Sequence, residues 1–77
     1  YNVDKLIIYW AAKEALYKLH SFKEVEFIKH LFIHPFELKT QGRLVGEIRL
    51  ESFNKKLRLH YEKLEDYMLV YILEEIG

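Results

Sequence analysis

The sequence predicts an α+β domain: one long N-terminal helix, a short second helix, then an antiparallel meander of three or four strands. Two observations carry this reading. Apolar residues recur at helical spacing up to Leu19, and from Leu31 onward the period changes to two, punctuated by turn residues. A third observation sets the organisation. No linker, internal repeat or low-complexity run divides the chain, so residues 1–77 read as one domain or one lobe.

The long helix is placed over residues 3–19. Asn2 suits the N-cap, and Asp4 puts negative charge into the first turn. Leu6, Ile7, Trp10, Ala11, Ala15 and Leu19 form the expected apolar face, and the small Ala11, Ala12 and Ala15 allow another element to approach closely. Ser21 followed by Glu24 matches a capping box, which opens a short second helix with Phe22, Val25 and Ile28 on its apolar face and its end near Lys29. Leu31 to Leu38 is extended, and Pro35, which lacks an N–H, makes it an edge strand or a broken one.

After a turn at residues 39–42, Arg43 to Glu51 alternates, with Leu44, Ile48 and Leu50 inward and Glu47 and Arg49 outward. A turn at residues 52–55 follows, with Asn54 expected in the left-handed conformation. Lys56 to Glu62 then sets Leu57, Leu59 and Tyr61 against Arg58, His60 and Glu62. Tyr67 to Leu73 is apolar on both faces, although a meander leaves its last strand at an edge. A partner is therefore expected there, either a second copy of the chain as a two-fold homodimer or a further lobe.

Composition excludes several classes. The chain has 12 Lys and Arg against 12 Asp and Glu, so it carries no basic excess for nucleic acid or an anionic membrane surface. It has no cysteine, which removes disulfides and thiolate metal sites. The longest apolar stretch, Leu6 to Ala12, is far short of the ~20 residues a membrane span needs. No signal peptide is visible, so the expected location is cytoplasmic. The start at Tyr1 without methionine reads as a piece of something longer. The histidines, His20, His30, His34 and His60, are scattered and read as exposed or locally bonded. Lys55, Lys56 and Arg58 read as a solvated hairpin tip, and Tyr61, Tyr67 and Tyr71 as cross-strand packing.

Residues Trp10 to Lys18 carry the chemistry. Glu14 and Lys18 are four apart and share a helix face, with Lys13 about 100° round the helix from Glu14. A carboxylate supplies a hard oxygen to magnesium, and lysines offset phosphate charge. The same spacing is also that of an ordinary surface ion pair, worth about 0.3–0.5 kcal/mol.

The whole nonapeptide resembles the signature of the 4'-phosphopantetheinyl transferase superfamily. That signature is an aromatic residue, a small residue, any residue, Lys-Glu, Ala or Ser, two variable residues, then Lys; Trp10, Ala11, Lys13, Glu14, Ala15 and Lys18 fill it in order. In layout, residues 1–77 are similar to the second, C-terminal lobe of the two-lobed type, and the run from Tyr61 to Tyr71 looks like the end of such proteins.

The resemblance implies a holo-acyl-carrier-protein synthase activity, moving phosphopantetheine from coenzyme A to a serine of an acyl or peptidyl carrier protein with magnesium. It implies that Glu14 ligates Mg2+ and helps deprotonate the serine. It implies that Lys18 contacts the coenzyme A phosphates, that Lys13 faces or supports them, and that Trp10 packs the helix. The family's further metal ligands lie in a Gly-x-Asp-x-Glu motif that none of Gly42, Gly46 and Gly77 opens, so this chain alone is expected to be inactive. The alternative is a non-catalytic lobe that serves packing or carrier-protein contact.

Overall fold

The computed structural model describes residues 2–19, 27–51 and 54–76. Helix α1 (Val3–Leu19) and a single helical turn α2 (Phe27–His30) precede four strands: β1 (Leu31–Ile33), β2 (Gln41–Arg49), β3 (Asn54–Lys63) and β4 (Met68–Glu75). The strands form one antiparallel sheet in the order β1-β2-β3-β4. The α+β meander read from the sequence is the observed architecture. The capping box at Ser21 and Glu24 lies outside the described residues.

The start of α1 follows its sequence signals. Asn2 Oδ1 accepts a hydrogen bond from the Lys5 N–H at 3.1 Å, satisfying an amide that the helix leaves unpaired. Asp4 pairs with Lys63 Nζ at 2.7 Å and ties this helix end to the end of β3.

The buried stripe of α1 differs from the expected one. Ile8, Ala12 and Leu16 face the sheet, fully buried, whereas Leu6, Ile7, Trp10 and Leu19 are exposed. The helix is apolar nearly all round, so periodicity alone does not select a face. Close approach to the sheet does: Ala12 is small, and a Cβ at Gly46 would lie only 2.7 Å from Leu16 Cδ1.

Beneath α1 lie Leu31, Ile33, Leu44, Ile48, Leu57, Leu59 and Tyr61, alternating along their strands as the period of two requires. β1 stops at Ile33, two residues before Pro35, and occupies one edge of the sheet. Asn54 begins β3, and no non-glycine residue among those described has positive φ, which corrects the left-handed turn expected at Asn54. The ladder explains the difference: Asn54 is already paired with Arg49. β4 is the other edge. Met68, Val70 and Ile72 pack against the core, while Leu69, Tyr71 and Leu73 are exposed on the open face.

Candidate functional site

The nonapeptide lies within one unbroken helix. Glu14 and Lys18 are both exposed, one turn apart and on the same face. Val3, Ile7, Trp10 and Tyr17 are also exposed, and their spacing puts them with Glu14 on the side of α1 opposite the buried stripe. Trp10, 46% exposed, thus lies on the outside of this chain's core.

Lys13 is placed apart from them. It is only 6% exposed, and its Nζ lies 4.9 Å from the centre of the Tyr9 ring, a cation–π contact. The helix therefore brings Glu14 and Lys18 onto one open surface and turns Lys13 away from it. As a magnesium ligand, Glu14 fits an open site: an accessible carboxylate leaves coordination positions for water and substrate phosphates. Among the described residues, no group of three or more His, Asp or Glu side chains gathers around a point where a metal could sit.

A second polar constellation, missed in the sequence, lies on the sheet face away from α1. Glu47 was expected outward, and it is on the outer face, yet it is only 3% exposed. Arg49 grips both of its oxygens, with Nη2 at 3.2 Å and Nε at 3.0 Å, and His34 Nε2 lies 2.9 Å from Oε1. The Arg49 hydrogen bonds hold the Glu47 carboxyl at about 2, below the usual 4.5; burial opposes this, and His34 and Asn54 assist it. Phe32 completes the cluster, with the Arg49 guanidinium 4.1 Å from its ring centre and the His34 ring edge-on at 5.1 Å. The signal available in the sequence was the pairing of Glu with Arg two residues on, which share a strand face. His34 could be added only with the β1–β2 register in hand.

The 34–39 segment is anchored by Tyr61. Its hydroxyl donates to the Glu37 carbonyl at 2.7 Å and accepts from the Lys39 N–H at 3.1 Å. Gly42 stands opposite Tyr61, and a Cβ there would lie 2.8 Å from the phenol oxygen. Glycine at 42 thus lets the phenol reach the loop.

The remaining sequence candidates are modest. His60 stacks on Tyr71 at 5.1 Å and lies 3.3 Å from Glu62. Tyr61 packs on Phe36 at 5.5 Å, whereas Tyr67, 64% exposed, joins no core. Lys55 and Arg58 pair with Glu75 and Glu74. No helix among the described residues is long and apolar enough to cross a membrane. Comparison with known proteins found no matching family model, no matching curated protein and no matching solved structure.

Proposed function

We propose that this chain is one lobe of a magnesium-dependent 4'-phosphopantetheinyl transferase, which transfers phosphopantetheine from coenzyme A to a carrier-protein serine. The observation that carries the reading is the outer face of α1. It presents Glu14 and Lys18 one turn apart, among exposed apolar side chains suited to being covered by another lobe.

In this reading Glu14 holds Mg2+ and Lys18 holds a phosphate of coenzyme A. When bound, magnesium offsets the charge developing on the departing 3',5'-ADP. The serine oxygen forms the new bond to phosphorus, the bond to the leaving phosphate breaks, and the serine proton passes to water oriented by Glu14. The burial of Lys13 beside Tyr9 favours a supporting role for it rather than a phosphate-facing one. The location in this reading is the cytoplasm, where coenzyme A and carrier proteins meet.

The experiment is modification of an apo carrier protein, read by mass spectrometry, with the whole polypeptide that contains residues 1–77. Transfer of phosphopantetheine is expected, and Glu14→Gln abolishes it without unfolding the chain. A rate unchanged by Glu14→Gln would overturn the metal assignment. Residues 1–77 alone are expected to transfer little or nothing. The second reading, a non-catalytic lobe, is favoured by one observation: among the described residues Glu14 belongs to no group of three or more His, Asp or Glu side chains that could hold a metal.

A further inference from the structure

A cavity of about 480 Å³ opens between the 34–39 segment and the edge of β2. Its position follows from the strand lengths. β1 ends at Ile33, and the His34 N–H still donates to the Val45 carbonyl at 2.9 Å. Beyond that point the chain leaves the sheet and is bonded again where Tyr61 meets residues 37 and 39. Backbone groups alternate sides along an antiparallel strand. Since Val45 points its carbonyl toward His34, Arg43 points its N–H and C=O out of the same edge, past the end of β1.

The charges around this opening are unusual for the sheet and its loops. Seven Lys and Arg residues lie between Leu31 and Ile76. Arg49, Lys55, Arg58 and Lys63 each have a carboxylate partner. The other three, Lys39, Arg43 and Lys56, have none among the described residues, and all three line this one cavity. His34 stands at its wall as well, and among the described residues Glu37 is the one carboxylate that lines it. The nearby Glu47 does not cancel these charges, because Arg49 already compensates it. Phe36, Val45 and Ile76 supply apolar wall.

We infer that this cavity is a binding site for a small phosphate monoester. Lys39, Arg43 and Lys56 meet the phosphate oxygens, the Arg43 N–H offers a backbone donor, and the apolar wall takes the body of the molecule. Separate cations lining the cavity from a loop and two strands suit a multiply charged, three-dimensional anion, and guanidinium and backbone N–H donors add charge-assisted hydrogen bonds. The volume exceeds that of a bare phosphate, which leaves room for an attached organic group.

The site is independent of the transferase reading. Lys5 of α1 lies 5.2 Å from the Phe36 ring centre in the loop, and Lys18 lies roughly 20 Å further along the helix at 1.5 Å per residue.

Amide chemical shifts of the isotope-labelled chain, at constant ionic strength in chloride, test the assignment. Inorganic phosphate should produce saturable shifts at Arg43, Leu44 and Val45, and phenyl phosphate should bind several-fold more tightly. Arg43→Gln with Lys39→Gln should weaken both at least tenfold. Lys56→Gln, on a separate strand, should weaken them several-fold, which keeps the test decisive if the double variant misfolds. Lys29→Gln, outside the cavity, should change neither. Linear, non-saturating shifts, or equal affinity in the Lys56 variant and the Lys29 control, would overturn the site.

Discussion

The two faces of the sheet are held together by different physics. Against α1, Leu44, Ile48, Leu57 and Leu59 are closely packed and almost free of polar atoms. On the open face, at positions one residue removed along the same strands, the cohesion comes from His34–Glu47–Arg49, Arg58–Glu74 and the His60–Tyr71 stack. The covered face gains from removing apolar area from water, at about 25 cal/mol per Å². The open face gains only where a charge is both buried and compensated. Glu47 meets that condition; the exposed pairs do not.

Substitutions can break or sharpen this contrast. The largest effect is expected at the covered face: Leu59→Ala should cost about 2–5 kcal/mol in denaturant unfolding, with most of the cost in a cavity that rigid neighbours fail to fill. A loss below ~1 kcal/mol would mean that the core under α1 is loosely packed.

Glu47→Gln comes next and carries a pH signature. The Glu47 carboxyl is depressed from 4.5 to about 2, so its stabilisation is fully present above 4.5 and is lost as pH falls through 2. In the native chain this contributes up to about 3 kcal/mol of acid-dependent stability. In Glu47→Gln the unfolding free energy should become flatter between pH 4.5 and 2; an unchanged slope would show that the cluster is not compensated as described. Gly42→Ala should destabilise by about 1–3 kcal/mol, because the added methyl displaces the Tyr61 phenol from its two loop partners.

The β4 end of the open face is the exception, since Leu69, Tyr71 and Leu73 are apolar yet exposed there, at an unpaired edge. We propose that the isolated chain self-associates through it. Sedimentation at micromolar concentration should show a dimer, and Tyr71→Lys should return a monomer; a native monomer would count against the proposal. The smallest effect is expected for Arg58→Ala. Its exposed pair with Glu74 should contribute roughly 0.2–1 kcal/mol, and less in high salt.

Much of the fold was legible because it depends on local pattern. The bounds of α1, the interruption at Pro35 and the inward set Leu57, Leu59 and Tyr61 follow from capping, missing donors and alternation. What escaped depends on which surfaces meet. An all-round apolar helix offers several faces, and only the seating of Leu16 over Gly46 selects Ile8, Ala12 and Leu16. Glu47 read as solvent-exposed because alternation assigns a face and not the depth to which Phe32, His34 and Arg49 cover it. For the candidate site, spacing put Glu14 and Lys18 together and the helix keeps them so. Lys13 is set about 100° round from Glu14 by that same spacing, and what spacing does not encode is its burial beside Tyr9.

The bond from the Lys39 amide to Tyr61 has a consequence for hydrogen exchange. Lys39 belongs to no strand, and a loop amide ordinarily exchanges by local fluctuation at almost no free-energy cost. Its acceptor, however, is the phenol of a side chain that is 1% exposed and rooted near the C-terminal end of β3. Releasing that amide requires Tyr61 to withdraw from beneath Phe36, and Tyr61 can do so only if the core around it opens. Lys39 should therefore exchange on the timescale of β3 rather than of its own loop, making a single backbone proton outside the sheet a reporter of cooperative opening within it.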